Sequence, residues 1–227
     1  MMPDAHRYLV WVHASAGAVA LAAMWVPIFS KKGGSAHRKA GLVYVYAMAV
    51  ATVTALVASS WRIVARPENV DSSLFLMLVA VLAGAATFYG KRVLQQKKRK
   101  QAHDAKLDLA VSLLLTANGV AGVAYWALRG GVLFGVFGAL CIALGAAQLR
   151  TLRTAPTTRW FWWYEHLGAM LTACIGTVTA FLVVNYPNAP GSWRALVPGV
   201  VVWIAPGVIG GVAITLWTRH YKRAHAR

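Results

Sequence analysis

"SKKGGSAHRKAGLVYVYAMAVATVTALVASSW", residues 30–61, passes from lysines and glycines through a His-Arg-Lys run into a stretch with no charged residue between Lys39 and Arg62. An α-helix needs about 20 predominantly apolar residues to cross a bilayer core, and residues 40–61 supply them. Working outward, the same pattern recurs at 8–29, 73–90, 107–128, 130–149, 160–184 and 196–217, separated by charged or Pro/Gly-rich breaks. The chain is therefore expected to be an all-α integral membrane protein, a single bundle of about seven transmembrane helices over residues 1–227. The first span is not expected to be a cleaved signal, because "MMPDAHR" is barely basic and the following apolar run is longer than the usual ~7–15 residues.

Composition agrees. Hydrophobic residues make up 59% and charged residues 13% of the 227, about half the charged fraction of an ordinary soluble domain. The two cysteines, Cys141 and Cys174, lie deep in apolar runs, so a disulfide framework is not expected.

Orientation follows from the basic residues. Eighteen of the 23 Lys and Arg fall after spans one, three, five and seven, whereas Arg7, Arg62, Arg66, Arg129 and Arg194 fall on the other side. Positive charge is retained in cytoplasmic loops. The N-terminus is thus expected outside and the C-terminus in the cytoplasm, in the cell inner (cytoplasmic) membrane. The same rule accounts for the net charge of +17 without a nucleic-acid partner. The run "KRVLQQKKRKQAHDAK" (91–106) is expected to attract anionic lipid headgroups, at roughly 1 kcal/mol per basic residue near the surface. Trp11, Trp25, Trp61, Trp126, Trp193, Trp217 and "WFWWY" (160–164) lie near span ends, as an interfacial aromatic belt requires.

Chemistry must come from polar groups that a bilayer would otherwise exclude. His13 lies in span one, six residues past Arg7. Glu165 and His166 lie just inside span six, while His37, His103 and Asp104 flank spans two and four on the basic side. Asp104, Asp108, Ser112 and Thr116 recur every four residues, which makes a polar stripe expected to face the bundle interior. Ser and Thr bonding back to their own helix, with an Asp near its start, is the plain alternative. His13, His37, His103 and His166 are candidate cofactor ligands. His37, His103, His166 and Asp108 are candidate metal ligands, and Asp108 and Glu165 are candidate catalytic carboxylates. A shared site for His37, His103 and His166 requires spans two, four and six to be neighbours. Two further features bear on packing. Gly131, Gly135, Ala139 and Ala143 offer a small-residue face on span five, and Pro206 is expected to kink span seven.

The pattern His37-Arg38-x-x-Gly41-x-x-Tyr44, preceded by a first-helix His13 followed by Gly17 and Leu21, resembles a family of bacterial multi-pass membrane proteins of unknown function. The family places a histidine after its third helix, which His103 matches in position. It then usually continues with Arg and Trp-Met, where this chain has Asp104 to Asp108. The resemblance covers roughly the first half of the chain. It implies His13, His37 and His103 as the family-like histidines and supplies no reaction.

Three classes of function remain open. Histidines could hold haem b or a transition metal in a redox protein, with a small lipophilic substrate or quinone as partner. Mixed His and Asp ligands would suit a metal-dependent hydrolase or lipid-modifying enzyme. A transporter or receptor could use His and Asp for protons or solute. No H-x-x-x-H or H-E-x-x-H spacing is present, so any centre must be assembled between helices. The redox reading is preferred.

Overall fold

The structure, a computed structural model, describes residues 3–225, and these are mostly helical, with no strand among them. Among the described residues the nine α-helices are α1 (Pro3–Ala23), α2 (Trp25–Phe29), α3 (Ser35–Ala65), α4 (Val70–Arg92), α5 (Lys106–Arg129), α6 (Val132–Arg153), α7 (Phe161–Asn185), α8 (Gly191–Leu196) and α9 (Gly199–His225). Seven segments are long and apolar enough to cross a membrane, as the sequence led us to expect, and many of their large apolar side chains face outward. That outward face is what lipid contact requires.

Helix ends differ informatively from the apolar spans. Gly34, in an extended conformation, starts α3 at Ser35, so His37 and Arg38 lie in its first turns and not in a flanking loop. Hydropathy marks only the apolar part of such a helix. Conversely, Asp104 precedes α5 and is exposed, so the polar stripe begins at Asp108. The α5–α6 reversal uses Gly130 and Gly131 at φ +81 and +89, where a side chain would be strained. Helix α9 runs unbroken through Pro206.

Packing is organised around α4, which contacts α3, α5, α6 and α7, while α1 lies on α3 and α9 on α7. One core cluster joins Ala20, Met24, Tyr44, Ala47, Met48, Ala86, Ala173 and Cys174. A second joins Phe75, Leu78, Leu82, Ala85, Leu115, Phe134 and Cys141. Helices α5 and α6 approach through glycine, but in a different register from the one expected. Gly119 faces the Gly138 carbonyl, and Gly145 faces Thr116. Ala139 and Ala143 are exposed, Gly131 caps the helix start, and Gly135 packs on the Trp126 ring. The inward face carries Phe134, Gly138, Cys141, Gly145 and Gln148, spaced as one side of a helix.

Candidate functional site

The sequence-derived candidates separate into three groups. At the end of the bundle carrying most of the basic residues, His37 and His166 meet with ring centres 6.4 Å apart and planes at 63°. Each is anchored through Nδ1. The His37 Nδ1 lies 3.1 Å from the Pro27 carbonyl, and the His166 Nδ1 lies 2.7 Å from the Gly90 carbonyl. The origin of both acceptors is local. Helix α2 stops at Phe29, and the α-helical ladder of α4 gives way to a 3-10 turn over Val93–Gln96. The last turn of a helix leaves carbonyls without intrahelical donors. An Nδ1–H donated to a carbonyl fixes the tautomer and leaves Nε2 with its lone pair. Among the described residues, no hydrogen bond occupies either Nε2.

Glu165 precedes His166 on α7. Its Oε2 accepts a 2.8 Å hydrogen bond from the Tyr89 hydroxyl, so α4 engages consecutive residues of α7 through consecutive residues of its own. Lys32 caps the same end of α2, donating from Nζ to the Pro27 and Ile28 carbonyls at 2.8 and 2.6 Å. Burial pushes its ammonium pKa down.

The second group surrounds Asp108. Its Oδ1 receives the Arg92 Nε at 2.7 Å, and its Oδ2 lies 2.7 Å from the His103 Nε2 and 3.4 Å from the Gln96 Nε2. Ser112 donates to the Asp108 backbone carbonyl at 3.0 Å and to Gln148 at 3.2 Å, and Thr116 bonds back to Ser112. The stripe therefore faces inward and also bonds back to its helix. The adjoining loop is held by Arg99, whose guanidinium donates to the Thr151 and Leu152 carbonyls at 2.8 and 3.0 Å at the end of α6. Desolvation pushes the Arg99 pKa down.

His13 stands apart from both groups. Its Nδ1 lies 2.9 Å from the Ala51 carbonyl and 3.3 Å from the Thr54 hydroxyl, tying α1 to α3. At 1.5 Å per residue this is roughly 20 Å along α3 from His37.

The condition for a single centre shared by His37, His103, His166 and Asp108 is not met. Helix α4 packs against α3, α5 and α7 and stands among them. Gly90 holds His166 while Arg92, two residues on, holds Asp108, and two residues turn a helix by about 200°. Among the described residues, no three His, Cys, Asp or Glu side chains gather into a group that could hold a metal ion. The structure does bring together His37 with His166, and His103 with Asp108.

Sequence reasoning missed the partners from α4. Tyr89, Gly90 and Arg92, with Gln96 in the 3-10 turn that follows, connect the candidates, and in the sequence Arg92 reads only as one charge of the basic run 91–106. It also missed an apolar groove of about 690 Å³ along α7, whose lining includes Met24, Ile28, Leu171, Cys174, Val201 and Trp217. Comparison with protein-family models, with curated proteins and with solved structures finds no match to this chain.

Proposed function

We propose that this is a multi-pass protein of the inner (cytoplasmic) membrane in which His37 and His166 hold a haem iron or a transition-metal ion for electron transfer. The observation that carries this reading is the pair of rings 6.4 Å apart, each anchored at Nδ1 on a helix-end carbonyl. A metal-ligating histidine characteristically donates its other ring N–H in this way, which orients the ring and raises its basicity. Glu165 with Tyr89 supplies a proton-exchanging pair beside the centre, and the groove along α7 gives a lipophilic carrier such as a quinone a place to lie. The hydrolase reading loses support because both Asp108 oxygens are engaged by Arg92, His103 and Gln96.

The expected result for purified, tag-free protein is one equivalent of haem or of a redox metal by elemental analysis, with a change in absorption on reduction. Neither haem nor stoichiometric metal would remove the redox reading and leave transport or reception.

The distribution of basic residues supports a cytoplasmic location for the His37 and His166 end, with the basic segment 91–106 facing anionic headgroups. A reporter fused after Arg227 is expected to read cytoplasmic and one inserted at Asn188 external. Reversed labelling would put the centre on the outer face.

A further inference from the structure

The proposed centre continues into the bundle along two facing stripes. On α7, His166, Met170, Cys174 and Thr177 follow at helical spacing, and on α3 so do His37, Gly41, Tyr44 and Met48. Both helices run in the same direction from the basic end. Observed contacts confirm the register. His37 meets His166, the Tyr44 hydroxyl lies 3.2 Å from the Thr177 Oγ1, and the Thr177 hydroxyl in turn donates to the Met48 Sδ at 3.4 Å. Met24, Met48 and Cys174 are buried in one cluster, and Met170 packs against it.

Met170 is one turn from His166, on the same face. Its sulfur lies against Gly90, the residue whose carbonyl anchors His166. A β-carbon added to Gly90 would stand 2.8 Å from the Met170 Sδ. On the other wall, a β-carbon at Gly41 would meet nothing within 4 Å, so there is open space one turn below His37.

We infer that the ion held by His37 and His166 is copper, with the Met170 thioether as its third ligand. This rests on the proposed metal centre and names its metal. Metal–nitrogen bonds of about 2.0 Å, with about 1.1 Å from each nitrogen to its ring centre, put opposed imidazoles ~6 Å apart. The observed ring-centre separation of 6.4 Å is close to that figure. Thioether and thiol groups select cuprous copper, and imidazole accepts it readily. Cuprous copper is satisfied by two or three ligands, whereas structural zinc takes four.

The test uses the full-length, tag-free protein in detergent, loaded anaerobically with cuprous ion against a chromogenic cuprous chelator, with X-ray absorption at the copper edge. The wild type is expected to bind one cuprous ion with nitrogen and sulfur scatterers. Met170→Leu, which preserves volume, is expected to lose the sulfur scatterer and at least tenfold in affinity, while His220→Ala changes neither. Copper bound through nitrogen alone, with Met170→Leu unaffected, would overturn the third ligand. Haem iron or zinc held by the two histidines, with no copper bound, would overturn the inference and leave the metal centre standing. Loss of copper binding in neither His37→Ala nor His166→Ala would overturn both.

Discussion

Asp108→Leu is expected to destabilise the protein by about 3 kcal/mol, the lower end of what removing one partner from a buried ion pair costs. The Asp108 side chain is 2% exposed and receives donors from Arg92, His103 and Gln96. Leucine would leave all three facing an apolar group. Arg92, 30% exposed, recovers part of its hydration, which keeps the loss at that lower end. A carboxylate acting only at the helix start would cost about 1 kcal/mol, and the structure gives no capping hydrogen bond at the start of α5. Thermal unfolding in detergent, with Arg92→Ala and the double variant, measures the coupling. An Asp108→Leu protein as stable as wild type but functionally dead would make Asp108 a proton-transfer or ligand residue instead of a clamp.

Gly119→Val is expected to cost about 2–3 kcal/mol by overpacking. A β-carbon there would stand 2.6 Å from the Gly138 carbonyl oxygen and 2.7 Å from the Ile142 amide nitrogen. Both are backbone atoms of α6, so relief requires the helices to separate. Gly176→Ala in α7 provides the contrast, since nothing lies within 4 Å of its added carbon. There the expected change is neutral or a gain of roughly 0.5–1 kcal/mol from reduced unfolded-state freedom. Unfolding midpoints of the two variants decide the point, and a Gly119→Val protein with the wild-type midpoint would refute the close α5–α6 packing.

What could be read from the sequence divides along local and non-local lines. Seven apolar segments were legible because each needs only its own composition and length. The inward face of Asp108 and Ser112 was legible because helical period alone places them together. Which small residues of α6 meet α5 was not, because Gly131–Ala143 and Gly138–Gly145 satisfy the same spacing and only the partner's contour chooses between them. Nor was the separation of His103 from His166, since it follows from α4 standing among α3, α5 and α7. That His37 and His166 belong to the same end of the bundle was legible from the sequence, whereas the start of α3 at Ser35, which brings His37 into the helix as His166 is in α7, was not. Their meeting depends on carbonyls of Pro27 and Gly90, which carry no side-chain signal at all.

The central claim is that His37 and His166 form the ligand pair, and metal content resolved by variant tests it most directly. Tag-free wild type, His37→Ala, His166→Ala, His103→Ala and His13→Ala would be purified alike and assayed for haem and metals per chain. The predicted result is one equivalent in wild type, kept by His103→Ala and His13→Ala and lost from both His37→Ala and His166→Ala. Retention in His37→Ala and His166→Ala, or loss only in His103→Ala or His13→Ala, would contradict it.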